Sequence, residues 1–555
     1  MDNPHASEPA TEGPRPNSLS KGEGTEARPA RRWGPPIAIL ALGAALVGMI
    51  QNVERFENNA ADQNLATLSA IGLTLLLLAF WAIFFTGLPR RVRAKLLLAG
   101  VALIAGFLSL VRVDGVSGDI RPKLAWRWSP KAGERLAKEI AGEGKPADAT
   151  IDLTQTTDDD FPQFLGPTRN GQVVARRPLA RDWTARPPRK IWRQPIGAGW
   201  SSFAVVGPYA ITQEQRGERE CVTCYELSTG KLLWAHADPG HFNKLLGGEG
   251  PRATPTISAG RVYALGANGR LDCLDGSSGE VVWTHHVLAE NNAPNVEWGK
   301  SCSPAVIDDL VVVSAGGPNG HSLVAYDKAS GDEVWHAGDD PSSYSSPLLA
   351  TLAGVEQILI VNHHAIVAHD PADGRVLWRY AWVGDQPKVP QPVPIGADKV
   401  LIASGYGIGC MLLDVKAGSD GELSASGAWK KHSLKLKPKF TNVVLHEGFV
   451  YGLDDGRSLV CLDLDRGERK WQGGHYGHGQ ILLVGDLLLV QSEEGDVALV
   501  EATPKRYSEL TRFKALEGKT WNNPVLAGRY LLVRNAEEAA CYELPLEEPL
   551  GHGKS

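Results

Sequence analysis

The chain has no basic excess: Lys and Arg total 57 against 63 Asp and Glu, a net charge of −6 over 555 residues. That balance leaves no electrostatic footprint for nucleic acid. Cysteine is scarce and poorly spaced for chemistry. Seven are present and no two are adjacent. Cys221 and Cys224 form a C-x-x-C, but neither a histidine nor a second such pair follows at zinc or haem spacing. In a strand these two side chains point to opposite faces, so a bridge between them requires a bend. The odd total leaves at least one thiol free in any case. Helix-period text of useful length is also missing from the last two thirds of the chain, which excludes helical repeats.

What fills that region is an eleven-residue pattern: a small residue, a carboxylate two residues on, Gly four after that, and Trp four after the Gly. It occurs at Cys224 to Trp234, Cys273 to Trp283, Ala325 to Trp335, Ala368 to Trp378 and Cys461 to Trp471. With Trp192, Trp429 and Phe513 added, the anchoring aromatics are spaced by 42, 49, 52, 43, 51, 42 and 42 residues. This is the period of a four-stranded propeller blade. Between anchors lie short aliphatic runs such as Val262 to Leu265, Leu310 to Val313 and Leu487 to Val490, bounded by Gly, Asp and Asn. The carboxylates Asp275, Asp327, Asp370 and Asp463 read as turn formers that accept backbone N–H bonds, and the Gly supplies the positive φ of the reversal. Cys224, Cys273, Cys461 and Cys541 stand where other copies carry Ala and read as small core residues.

The count is eight blades. Trp521 to Leu544 supplies only about three strands, and Arg189 to Pro195 carries a Trp with no blade ahead of it. Pairing the two closes the ring and removes its exposed edges. Seven blades with a stray strand is the competing count. The expected fold class is therefore all-β, an eight-bladed propeller, over residues 158–545.

These repeats resemble the pyrroloquinoline-quinone-like (PQQ-like) β-propeller family, related to quinoprotein alcohol dehydrogenases and of the broader WD40/YVTN-like kind. The resemblance covers roughly residues 160 to 545. Stretches such as PQFLGPTRNG (Pro162 to Gly171) and SGYGIGC (Ser404 to Cys410) are similar to a bacterial subgroup of it. The family includes quinoprotein alcohol dehydrogenases and the propeller lipoprotein of the outer-membrane β-barrel assembly machinery. The dehydrogenases use an adjacent cysteine pair as a lid, a Trp floor, a calcium ion held by Glu, Asn and Asp, and an Asp base. No Cys-Cys occurs here and no calcium triad matches, so no catalytic residue or metal ligand is carried over. PQQ and calcium remain the cofactors that a dehydrogenase reading implies.

Ahead of the propeller, Pro35 to Ile50, Ala66 to Leu88 and Leu96 to Val113 are apolar stretches near or above spanning length. They read as three transmembrane helices within a membrane domain, 34–113, preceded by a disordered N-terminus, 1–33. A linker, 114–157, with a short amphipathic helix at Lys131 to Ile140, would follow, and 546–555 would form a disordered tail. Arg31 and Arg32 before the first span, and Arg90, Arg91, Arg93 and Lys95 between the second and third, place the N-terminus in the cytoplasm. Three spans then deliver the propeller to the periplasmic side of a bacterial inner membrane. Two spans plus a buried hairpin helix, with a cytoplasmic propeller, is the alternative.

Propeller ligands bind at the channel mouth, where the innermost strands start. That register assigns one polar residue per blade: Ser202, Thr254, Ser303, Ser346, Gln391, Asn442, Gln480 and Asn523. Just before them stand Trp200, Arg252, Lys300, Tyr344, Lys439, His478 and Trp521. The chosen binding candidates are Trp200, Arg252, Lys300, Tyr344, Gln391, Lys439, Asn442, Trp521 and Asn523, suited to an anionic or flat ligand. The plain alternative is that they plug and hydrate the channel. His475 and His478, three apart on a Gly-rich loop, show no third metal ligand. Two functions follow: a non-catalytic binding or scaffold protein of the cell envelope with protein or peptide partners, or a membrane-bound quinoprotein dehydrogenase oxidising an alcohol or sugar.

Overall fold

The computed structural model describes residues 34–53, 60–129, 132–140, 151–455 and 458–547. The expected leader, 1–33, lies outside the described residues, as does 548–555 of the expected tail. Leu546 instead bridges Leu179, and the Glu547 N–H donates to Pro178 O at 2.8 Å, so order runs past residue 545.

Aliphatic runs punctuated by tight turns form meanders, and eight of them close into a propeller. Seven blades follow in chain order from Ala204–Val206 to Glu509–Lys514. The eighth joins Val525–Ala527, Tyr530–Arg534 and Glu538–Glu543 to Arg189–Pro195, with Cys541 opposite Trp192. The N-terminal strand thus closes the ring, as its unpaired Trp implied.

The recurring motif does its work between blades. Asp327 Oδ1 accepts the N–H groups of Ala329 (2.9 Å) and Ser330 (2.8 Å), and Asp275, Asp370 and Asp463 hold their turns in the same way. Each Trp then reaches the next blade's turn: Trp192 Nε1 donates to Leu227 O (2.8 Å), Trp234 to Gly276 O (3.0 Å) and Trp335 to Pro371 O (3.0 Å). Trp378 faces a blade whose turn lacks the motif, and it donates instead to Gln357 Oε1 of its own blade.

Three helices precede the propeller: α1 (Gly34–Asn52), α2 (Ala60–Phe84) and α3 (Arg90–Leu110). All three are long and apolar enough to cross a membrane. Their leucines face outward, Leu76, Leu98 and Leu103 being 70–75% exposed. A helix apolar all round finds no partner in water.

The boundaries differ from the hydropathy reading in two places. The expected second span, 66–88, is a helix that starts at Ala60, because its polar first turn contacts protein rather than solvent. The expected third span, 96–113, is displaced towards the N-terminus. Pro89, with φ −54°, starts the helix at Arg90, and the β-branched Val111 and Val113 continue as strand Val111–Val116. That strand pairs with Pro122–Trp126, so part of the expected linker is a hairpin. The amphipathic helix, α4 (Ala132–Ile140), packs Leu136 inward, and Ala137 lies against Gly217.

Candidate functional site

At the top of the innermost strands the polar ring laces itself together. The backbone N–H of Ser202 donates to Thr254 Oγ1 (3.1 Å), that of Thr254 to Ser303 Oγ (2.9 Å), and that of Ser303 to Ser346 Oγ (2.9 Å). The N–H of Ser346 donates to Gln391 Oε1 (2.7 Å) and that of Gln391 to Asn442 Oδ1 (2.8 Å). Ser202 Oγ returns the ring to Asn523 O at 2.6 Å. A strand start has an unpaired N–H on its channel side, and a short side chain from the next blade satisfies it.

Above this ring lies a cavity of about 290 Å³. Trp200, Arg252, Tyr344, Lys439, Asn442, Trp521 and Asn523 line it, so the structure brings seven of the nine chosen candidates together. Lys300 turns away: its Nζ donates to Ser314 O (3.0 Å), Ala315 O (2.7 Å) and Ser342 Oγ (2.8 Å). Burial pushes this amine down to about 8. Gln391 is spent on the ring.

The register reading took one or two residues from each inner-strand loop and so passed over Trp298, Tyr406 and Phe440, which also line the cavity. Trp298 and Phe440 stand within two residues of chosen ones. These rings contact one another: Trp200 and Trp521 at 4.9 Å, Phe440 and Trp521 at 5.0 Å, Trp298 and Tyr344 at 5.4 Å between centroids. A flat ligand sandwiched between two faces needs a gap of about 7 Å, twice the carbon contact distance. None of these three pairs leaves it.

Two segments from ahead of the first blade cover part of the cavity. From below, the stretch 161–173 enters the channel. Phe164 reaches the cavity, Arg169 donates to Ser303 O (2.9 Å) and Pro304 O (3.0 Å), and Gln172–Val173 runs parallel to the innermost strand Gln480–Val484. From above, the hairpin turn 116–120 forms a roof. The Gly118 N–H donates to Glu493 Oε1 (2.7 Å), Lys519 Nζ to Val116 O (2.9 Å), and Asp119 faces His478 Nε2 at 3.2 Å. Asn64 of α2 donates to Asp119 O at 2.9 Å, tying the roof to the apolar helices. Ile120 sits at φ +60°, a conformation costly for a β-branched residue.

Much of the charge in the mouth is paired internally. Glu493 also accepts His478 N–H (3.0 Å) and Trp521 Nε1–H (2.9 Å). Lys439 faces Asp455 at 3.4 Å, and Lys519 lies 4.2 Å from the Trp521 ring centre. Burial drives Lys519 down to about 8, against the pull of Glu493. Burial opposes ionisation of Asp119, but its hydrogen bond and charge interaction with His478 hold its carboxyl below the ordinary value. His475 is exposed while His478 is buried against Phe440, so they do not form a pair. Cys221 and Cys224 are both free and buried.

A resident calcium ion takes six to eight oxygen ligands. Here both Glu493 oxygens accept N–H bonds, and Asp119 and Asp455 face cations, so these residues do not fit one. Among the described residues two clusters of metal-type ligands lie elsewhere, His363/His364/Asp385 and His236/Asp238/Asp272. Arg270 occupies the second, 3.0 Å from Asp238 and 3.1 Å from Asp272.

A family model described as outer membrane protein assembly factor BamB matches residues 218–473 and 345–519, together more than half of the chain. The chain belongs to this family. Among solved structures, this PQQ-like propeller is similar to the quinohemoprotein alcohol dehydrogenase of Comamonas testosteroni (13% identity, TM-score 0.51, covering 76% of this chain and 85% of that one). It is similar also to a europium-containing methanol dehydrogenase (13%, 0.53, 69% and 91%). BamB from Moraxella catarrhalis aligns at 16% identity over 65% of this chain and 99% of that one, with a TM-score of 0.46. At these identities the likeness is one of fold. No curated protein matches the sequence.

The roof makes a specific prediction. A Cβ at Gly118 would stand 1.9 Å from His478 Cδ2, and His478 is walled in. Gly118→Ala therefore should lift the turn and break the bond to Glu493, a charged acceptor. Trypsin cleavage after Lys123 should accelerate about tenfold or more, while the propeller's melting temperature stays within a degree or two of the parent's.

Proposed function

We propose that the chain is a membrane-anchored, non-catalytic binding or scaffold propeller of the bacterial cell envelope. In this reading α1, α2 and α3 span the inner membrane, the N-terminus is cytoplasmic and the propeller stands in the periplasm. Arg90, Arg91, Arg93 and Lys95 at the start of α3 support that orientation, since basic residues stay on the cytoplasmic side. The family's description as an outer membrane protein assembly factor supports a binding role, with envelope proteins or peptides docking on the blade loops.

One observation carries the reading. The channel mouth, where this fold would hold a cofactor, is floored by Phe164 and roofed by residues 116–120 of the same chain. Glu493, His478 and Lys519 are tied to that roof, Lys439 faces Asp455, and Arg252 is spent on carbonyls of its own loop. The mouth therefore serves to couple membrane helices to propeller, which leaves the outer loops for partners.

The test uses the full chain in detergent, titrated with PQQ and calcium while melting and quinone absorbance are followed. The expected result is no saturable shift far above micromolar ligand. A saturable stabilisation that disappears in Arg252→Ala and Trp521→Ala would establish the dehydrogenase reading instead. Alkaline phosphatase fused after residue 547 should be active in cells; an inactive fusion would reverse the orientation.

A further inference from the structure

The loop joining the first blade to the second folds into a short hairpin. Asn243–Lys244 pairs with Gly248–Glu249, which puts Leu245 and Leu246 at the tip. Both stay exposed, at 60% and 48%. Yet the tip is held from behind. Arg252 donates to Gly247 O (2.9 Å), Gly248 O (2.8 Å) and Gly250 O, and Trp200 Nε1 donates to Gly247 O at 2.7 Å. A rigidly backed tip offering two adjacent large apolar side chains is a contact surface, not an idle loop.

Its neighbours identify what covers it. Leu246 lines the mouth cavity with Ala61 in the first turn of α2, and Leu245 lines the adjoining cleft with Val113 and Ala125 of the hairpin that leaves α3. The tip therefore lies between the points where α2 and α3 meet the propeller. With 25 residues, α2 is about 37 Å long, and a hydrocarbon core is about 30 Å thick, so about one turn of helix stands clear of the lipid. The bilayer surface then lies within about a turn or two of Ala61. Beside it, Trp126 and Trp128 stack at 5.1 Å and remain 52% and 65% exposed. Exposed indoles next to the end of a span belong in the headgroup layer.

We propose that the Leu245–Leu246 tip is a second membrane contact, which enters the headgroup layer of a phospholipid bilayer beside Trp126 and Trp128 and holds the mouth face of the propeller against the membrane. It rests on the reading that α1 to α3 span that bilayer. Arg252 and Trp200, singled out for ligand binding, act here as the support of the tip.

The native thiols permit a clean test. All seven are buried, and desolvation pushes those of Cys221, Cys273, Cys410, Cys461 and Cys541 up to about 12. An introduced surface cysteine is therefore labelled selectively. Full chains carrying Leu245→Cys, Ser228→Cys on the opposite face, or Leu75→Cys within α2 would be labelled with a fluorophore and placed in phospholipid nanodiscs containing a nitroxide lipid. The Leu245 label should lose about half its fluorescence to a nitroxide high on the acyl chain, the depth at which interfacial side chains lie. The Ser228 label should be unaffected and the Leu75 label quenched. A Leu245 label that behaves like the Ser228 one while Leu75 is quenched overturns the proposal. Failure of the Leu75 label as well overturns the spanning reading beneath it. Shielding of the Leu245 label that persists in lipid-free amphipol and grows with protein concentration assigns the tip to a second copy, which also overturns the proposal.

Discussion

Glu214→Gln should destabilise the propeller by about 3–5 kcal/mol, the cost of leaving buried cations without their counter-charge. Glu214 is fully buried where the first blade meets the eighth. Its Oε1 accepts Arg216 at 3.0 Å and the Tyr225 hydroxyl at 2.6 Å, and its Oε2 accepts the Gly197 N–H. Arg534 of the eighth blade, 1% exposed, donates to Thr212 Oγ1 (2.7 Å), Gln213 O (2.9 Å) and Gly197 O (2.9 Å) of the same cluster. The amide fills the same space but leaves two guanidiniums facing no anion. At about 2 cal/mol/K of unfolding entropy per residue, the melting temperature should fall by roughly 5 °C.

The pH dependence gives a second readout. Burial alone would raise the Glu214 carboxyl, but Arg216 and Arg534 outweigh it and hold it below its ordinary value. A carboxyl depressed in the folded state stabilises above its unfolded pKa, about 4.3, and loses that contribution as pH falls through the folded value. The gap between parent and variant should therefore be full at pH 7 and narrow only below about pH 4. A gap unchanged down to pH 3 would show that charge is not what the residue contributes.

Trp335→Ala should cost about 3–5 kcal/mol, the range for deleting a large buried aromatic. The ring, 7% exposed, fills the seam between the third and fourth blades and is the backing on which Gly374 rests. Two glycine variants separate this packing from backbone strain. Gly374 has φ +75°, and a Cβ there would stand 2.4 Å from Trp335 Cε3, whereas Gly354 has φ +78° with no atom within 4 Å. Gly354→Ala should cost only the left-handed conformation, about 1–2 kcal/mol. Gly374→Ala should cost clearly more, by chemical denaturation of both. Equal losses would mean that the motif's glycine is required for its φ alone.

These residues also show how far the sequence reaches. The Asp–Gly–Trp motif recurs because each blade solves one local problem, turning from its third strand to its fourth, and local problems leave a period. Blade number, closure by Arg189–Pro195 and the polar ring from Ser202 to Asn523 all follow from that period. Lys300 was misplaced because register gives the position of a backbone, while the rotamer depends on which carbonyls lie within reach; those of Ser314 and Ala315 did. Arg252 reached the mouth, but its donors are occupied by glycine carbonyls of its own loop.

The sequence by itself therefore determined the eight-bladed all-β ring, the three apolar helices and the loops that carry the mouth. Only the tertiary structure decided that the mouth is partly covered by its own chain. Its roof depends on Gly118 meeting Glu493 across 375 residues and its floor on Phe164, carried there by a segment whose Arg169 meets the third blade. Neither segment is a repeat. Such contacts follow from shape and from unpaired donors at the end of a long chain path, and a period of strands and turns carries no record of them.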